Sequence, residues 1–105
     1  MAQVPDKIVE LINKFIEEAK KDNITISKAV LFGSYSNNTY HEYSDIDIAV
    51  VSEDFEGISF YDSKKLNAAM LRTSIDIETH PYRPEEFNPE NPFVKEILET
   101  GIRIL

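Results

Sequence analysis

The apolar positions near the N-terminus recur every three or four residues, which is the spacing of an amphipathic helix. They are Val4, Ile8, Leu11, Ile12, Phe15, Ile16 and Ala19. Pro5 suits a first helical turn because no intrahelical partner is needed for its missing N–H. The pair Lys20-Lys21 puts cations where they favour the helix dipole. The pattern therefore predicts a helix that ends near Lys21.

Two nearly continuous apolar segments follow, over residues 27–32 and 46–51. A strand that is covered on both faces has few polar positions, so both segments are predicted to be buried strands. Gly33 ends the first of them. A short helix is expected over 35–41, between the two strands.

The second half of the chain continues this alternation. A helix over 61–72 is expected to bury four side chains, namely Tyr61, Leu66, Ala69 and Met70. A strand is predicted over 74–82, and a last helix begins after Pro92 and is closed by Gly101 at its C-terminal cap. A short strand over 102–105 completes the order α-β-α-β-α-β-α-β, which predicts an α/β (α+β) fold of one layered sheet and its helices.

Composition limits the classes of function. A chain of 105 residues suits one domain over 1–105. It has no apolar run near the length of about 20 residues that spans a membrane and no signal peptide. The absence of cysteine fits a reducing compartment, and a cytoplasmic protein is expected. The net charge of −8 argues against extended nucleic acid as a partner, because such binders carry a clustered basic surface.

The first candidate site is the pair Gly33-Ser34. It has two interpretations. Gly33 can be a turn residue with Ser34 capping a helix. The same arrangement can also bind phosphate, since backbone N–H groups at a helix start point outward and glycine allows close approach.

The second candidate site is the pair Asp45 and Asp47. Residues two apart on a strand project to the same face, so the two carboxylates are expected side by side. At about 5 Å and an effective dielectric near 20 they repel by roughly 3 kcal/mol, which a divalent cation would offset. The alternative is an Asx turn at Asp45 with Asp47 exposed at the strand end.

A third carboxylate is available on the next predicted strand. Ile75 and Ile77 are expected to face one way and Asp76, Glu78 and His80 the other. Either acid can meet the Asp45 and Asp47 pair from a neighbouring strand. His80 is interpreted as a ligand, a base or a polar residue at a strand end.

Together these residues resemble a known family. Gly33-Ser34, ten intervening residues and Asp45-Ile46-Asp47 are similar to the signature of the DNA polymerase β nucleotidyltransferase superfamily. The similarity is closest to its minimal nucleotidyltransferases (MNT), which are often partnered with HEPN proteins. The C-terminal part also resembles that group, in Pro84-Glu85-Glu86-Phe87, Asn91-Pro92-Phe93 and Gly101-Ile102.

The resemblance implies a polymerase β-like fold, which is a small mixed sheet flanked by helices. It also implies a reaction in which a nucleoside monophosphate is transferred from a nucleoside triphosphate to a hydroxyl and pyrophosphate is released. By that resemblance AMP comes from ATP, Asp45 and Asp47 bind Mg²⁺ in a two-ion site, and Gly33 and Ser34 hold the triphosphate. Asp76 is the expected third acid and catalytic ligand, being nearer the middle of its predicted strand, with Glu78 as the alternative.

The implied acceptor is a tyrosine of a HEPN toxin, which would make this chain an antitoxin. A homo- or hetero-oligomer is compatible with its apolar faces. The alternative function is a non-catalytic nucleotidyltransferase-fold binding module that neutralises a HEPN partner by contact. The chain also departs from the family pattern, because Tyr35-Ser36-Asn37-Asn38 stands where many relatives carry small and basic residues.

Overall fold

The computed structural model describes residues 4–35 and 45–105. Three helices and four strands lie in this part of the chain, with one turn of 3₁₀ helix. In chain order they are α1 (Asp6–Lys21), β1 (Lys28–Phe32), the 3₁₀ turn (Gly33–Tyr35), β2 (Ile46–Val51), α2 (Ser59–Thr73), β3 (Ile77–Tyr82), α3 (Pro92–Thr100) and β4 (Ile102–Arg103). The predicted α/β fold is confirmed. The helix expected over 35–41 lies almost wholly outside the described residues.

The four strands form one mixed sheet in the order β3-β2-β1-β4. β1 runs antiparallel to β2 and β4, whereas β2 and β3 are parallel. A parallel pair needs a crossover connection, and α2 provides it. β2 therefore lies between β1 and β3, where its side chains are largely covered.

The larger core lies between one face of the sheet and helices α1 and α2. The side chains in it are apolar and buried, as the helical and strand patterns require. They include Ile8, Ile12, Phe15 and Ala19 from α1, Leu66 and Ala69 from α2, and Ala29, Leu31, Ile46, Ile48, Val50 and Ile77 from the strands. This core fixes the sheet against the two long helices.

The opposite face of the sheet carries a smaller core beneath α3. Its buried members are Val30, Ala49, Val51, Phe87, Val94 and Ile97, with Phe32 and Tyr82 partly buried beside them. Asp47 belongs to this face too, since it pairs with Phe32 of β1 in the strand register. The smaller core thus borders the polar residues of β2 and β3.

Helix α2 differs from its prediction at one position. Leu66 and Ala69 are buried as expected and Met70 is partly buried, but Tyr61 is 52% exposed. Asp62 is buried in its place, at 1% exposure. Its carboxylate accepts hydrogen bonds from the backbone N–H groups of Glu56 and Gly57, at 2.7 and 2.9 Å. A polar residue can thus be buried when its oxygens are satisfied.

Strand β3 begins three residues later than predicted. The N–H of Ile77 donates to the Ser74 carbonyl and that of Asp76 to the Ser74 hydroxyl, so this segment is a turn. Alternation of faces requires extended backbone. Ile75 is accordingly 77% exposed while Ile77 is buried, and the expectation that they share a face is wrong.

Gly101 closes α3, as predicted. Its φ of −78° is extended, not left-handed. A Cβ at this position would lie 2.5 Å from both the Ile97 carbonyl oxygen and Val30 Cγ1. Close packing of the helix end on β1 therefore requires glycine.

Within residues 4–35 and 45–105, no helix combines the length and apolar character needed to cross a bilayer.

Candidate active site

The candidate site lies on two neighbouring parallel strands, β2 and β3. The register places Asp47 of β2 opposite Glu78 of β3. Paired positions lie about 4.8 Å apart and project to the same face of a sheet. The Asp47 side chain is 24% exposed, and Glu78 is exposed. Two carboxylates thus lie side by side at the border of the smaller core.

His80 adds a nitrogen donor to these carboxylates. It lies two residues after Glu78 on the same face, and its Nε2 is 3.4 Å from Asp47 Oδ1. One ligand atom from each of Asp47, Glu78 and His80 lies within 4.8 Å of the others. We call these three residues the Asp47–Glu78–His80 cluster. Its size and donor atoms fit a divalent cation, for which ligand distances are about 2.0 to 2.6 Å.

The backbone at Gly33 borders the cluster. Gly33 has a φ of +74°, and a Cβ added there would be only 2.6 Å from Asp47 Oδ2. Both the left-handed conformation and the close carboxylate require glycine. Gly33 and Ser34 lie in the 3₁₀ turn that follows β1. The structure therefore brings the predicted phosphate-binding pair next to one of the predicted metal ligands.

Asp45 and Asp76 lie just outside the cluster. Each comes one residue before its strand, where Ile46 pairs with Ile77, and both are exposed. The Ile46 N–H donates to the Asp76 carbonyl at 2.8 Å, so the two segments are adjacent. Their proposed ligand roles stay predictions. The geometry favours Glu78 over Asp76 as the third acid, because Glu78 has the carboxylate oxygen in the cluster.

The rings of Phe32 and Phe93 lie beside the cluster. The rings of Phe32 and His80 meet edge to face with centroids 4.8 Å apart, and the Phe93 ring lies 6.1 Å from that of Phe32. Phe93 is 49% exposed. The sequence position of Phe93 does not by itself reveal its place beside His80 of β3. The alternation of Glu78 and His80 did indicate a shared face.

Two basic residues of helix α2 form ion pairs with acidic residues. Arg72 Nε contacts Glu18 Oε1 at 2.6 Å, and its Nη2 contacts Asp22 at 2.9 Å. These contacts, above all the hydrogen bond to Glu18, raise the pKa of Arg72. Lys65 lies 3.7 Å from Glu56. Arg72 therefore joins α1 to α2.

Residues 12–104 match the nucleotidyltransferase domain family. The chain belongs to this family. The match covers most of the chain, and it confirms the expected nucleotidyltransferase superfamily. The assignment of a single nucleotidyltransferase domain to residues 1–105 stays a prediction.

A curated protein adenylyltransferase is similar to part of the chain. Protein adenylyltransferase MntA from Shewanella oneidensis is 35% identical over 66 residues, which cover 62% of this chain and 48% of MntA. The chain therefore aligns with about half the length of this relative.

Two solved structures share the nucleotidyltransferase fold. A nucleotidyltransferase structure from Sulfolobus solfataricus has a TM-score of 0.66 at 17% identity, covering 92% of this chain and 78% of that one. A toxin–antitoxin structure with AMP-PNP has a TM-score of 0.61 at 26% identity, covering 89% of this chain and 71% of that one. The mixed sheet flanked by helices is thus shared with both solved structures. The family match, MntA and the toxin–antitoxin structure together support the predicted resemblance to the minimal nucleotidyltransferases.

Proposed function

We propose that this nucleotidyltransferase transfers AMP from ATP to a hydroxyl of a protein partner, within a toxin–antitoxin pair. The observation that carries the proposal is the position of Asp47, opposite Glu78 on a parallel strand and against the backbone of Gly33. Similarity to a protein adenylyltransferase and to a toxin–antitoxin structure with AMP-PNP supports it. The acceptor implied by the family is a tyrosine of a HEPN toxin.

The roles of the residues follow from their chemistry. Asp45 and Asp47, with Glu78 or Asp76, supply carboxylate oxygens, the ligands that Mg²⁺ prefers. Mg²⁺, when bound, would neutralise charge on the phosphates and on the leaving pyrophosphate. Gly33 and Ser34, in the 3₁₀ turn, would hold the triphosphate, as the family resemblance implies.

The reaction is a substitution at the α-phosphorus of ATP. The acceptor oxygen forms a bond to that phosphorus, the bond to the bridging oxygen of the β-phosphate breaks, and pyrophosphate leaves. The proton of the acceptor hydroxyl passes to a carboxylate of the site, which acts as a general base. AMP remains on the acceptor, so each turnover adds one negatively charged group to the partner.

The central experiment incubates the protein with ATP labelled in the α-phosphate, Mg²⁺ and the protein encoded by the neighbouring gene. We expect label on the neighbour, and a loss on the order of 100-fold or more in the Asp45→Asn and Asp47→Asn variants, which keep side-chain size but lose charge. Glu90→Gln removes an exposed acid from the loop before α3 and should leave labelling unchanged.

Two results would contradict the proposal. One is equal labelling by the parent protein and by a double Asn variant that carries both Asp45→Asn and Asp47→Asn. This result would mean that transfer does not depend on these two carboxylates. The other is full neutralisation of the partner's toxicity by the double Asn variant in cells without any label. That second result would favour the contact-only binding module as the function.

A further inference from the structure

His80 is held in a defined position beside the carboxylates. Its ring packs edge to face on Phe32 at 4.8 Å between centroids and lies 6.5 Å from the Phe93 ring. The side chain is 28% exposed. Rings packed in this way restrict side-chain rotation, so the imidazole remains directed at the cluster.

The contact between His80 and Asp47 is long for a hydrogen bond. Nε2 lies 3.4 Å from Oδ1, whereas N–H···O bonds are usually about 2.7 to 3.2 Å. Two neighbouring ligands of one ion with bonds of about 2.1 Å are separated by about 3.0 Å, and opposite ligands by about 4.2 Å. The spacing within the cluster, up to 4.8 Å, suits ligands that share an ion after a small inward shift.

The donor atoms bear on which ion is preferred. Mg²⁺ takes oxygen ligands and binds imidazole poorly, whereas the first-row transition ions from Mn²⁺ to Zn²⁺ accept imidazole nitrogen beside carboxylate oxygen, with Mn²⁺ the weakest binder of that series. Asp47 and Glu78 alone would suit Mg²⁺. The addition of His80 Nε2 gives a mixed oxygen and nitrogen set.

We propose that His80 is a direct metal ligand and that its nitrogen makes this site bind a first-row transition ion such as Mn²⁺ more tightly than Mg²⁺. The inference rests on the proposed metal role of this site, but not on transfer activity. The ion preference would then come from a residue of β3 and not from Asp45 or Asp47.

The test uses the full chain with Mn²⁺ alone and no nucleotide. Pulsed EPR should detect coupling of bound Mn²⁺ to an imidazole ¹⁴N. The chain contains two histidines, His80 and His41, so variants assign the signal. The coupling should be lost in His80→Asn and kept in His41→Asn, the matched control.

Calorimetry gives the second measurement. Mn²⁺ affinity should fall about tenfold or more in His80→Asn, while Mg²⁺ affinity should stay within about twofold. Bound Mn²⁺ without ¹⁴N coupling in the parent protein would overturn the inference, and this result needs no variant to fold. Equal affinity for the two ions would do the same. Either result can coexist with Mg²⁺-dependent labelling of the partner, so failure here is distinguishable from failure of the proposed function.

Discussion

Asp47 is the residue through which the backbone and the chemistry of this site are connected. Its Oδ2 lies against Gly33, its Oδ1 faces His80, and its strand partner is Glu78. Two carboxylates this close repel by roughly 3 kcal/mol at an effective dielectric near 20. The fold holds them together through β-sheet pairing, so a bound cation would also stabilise the folded chain.

Gly33→Ala tests the contact between Asp47 and the backbone. A side chain there must adopt a left-handed φ, which costs roughly 1 to 2 kcal/mol, and its Cβ would lie 2.6 Å from Asp47 Oδ2. We expect a loss of about 2 to 4 kcal/mol in the free energy of unfolding, measured with urea.

Gly57→Ala is the matched control. Gly57 also has a positive φ, of +90°, but a Cβ there would meet Arg83 Cδ at an ordinary distance of 3.4 Å. It should therefore show the conformational cost alone. The excess cost at Gly33 should disappear when Asp47 is replaced by Ala. An equal cost at both glycines in the parent background would mean that the Asp47 contact is unimportant for stability.

At the scale of elements, α1 and α2 are joined by one buried acid. Glu18 is 7% exposed, and its carboxylate accepts hydrogen bonds from Lys21 and Arg72 at 2.7 and 2.6 Å. Arg72 also donates to the Glu18 carbonyl at 3.0 Å. The hydrogen bond from Lys21, and then that from Arg72, holds the pKa of Glu18 below its ordinary value.

Glu18→Gln should therefore cost stability in a pH-dependent way. A carboxyl whose pKa is lower in the folded than in the unfolded chain stabilises the fold above its ordinary pKa of about 4.3, and this contribution is lost as the pH falls through the folded pKa. Thermal unfolding should show a Tm gap between parent and variant at pH 7 that narrows below about pH 4.3. Glu10→Gln, an exposed position of the same helix, is the control. A gap that stays constant with pH would contradict the expectation.

The sequence predicted most elements because their apolar spacing follows the core. The segments around Phe15 and Ile48 are regular and buried, and pattern alone is enough for them. The prediction that Ile75 shares a face with Ile77 is wrong because a local turn at Ser74 precedes the strand. Asp62 was missed because its burial depends on loop N–H groups that only the folded chain brings near it.

The site shows the same division between local and tertiary information. The alternation that puts Glu78 and His80 on one face was visible in the sequence, and the register then places Glu78 opposite Asp47. Which of Glu78 and Asp76 faces Asp47 depends on where β3 begins. Periodicity does not determine that point, because hydrogen bonds to Ser74 compete with strand pairing.

At the scale of the whole molecule, the net charge is −8. The negative charge of the protein would repel the phosphates of a nucleic acid. Binding is driven by counterions that are released when clustered Lys and Arg neutralise phosphates, and the Lys and Arg residues of this sequence are scattered. In fluorescence anisotropy, a labelled single-stranded RNA should show no binding at tens of micromolar protein. Lowering the salt to about 50 mM should not produce binding, as it would for a basic protein. Salt-sensitive binding would show that a local basic surface outweighs the net charge.

The parallel pairing of β2 and β3 has a consequence for redesign. The separation of positions 47 and 78 is set by main-chain hydrogen bonds, at about 4.8 Å, and not by the side chains that occupy them. Replacing donors at Asp47, Glu78 or His80 would exchange oxygen for nitrogen while the frame keeps its dimensions. The strand pair is therefore a fixed template, and this small chain is a suitable starting point for building metal sites of altered ion preference.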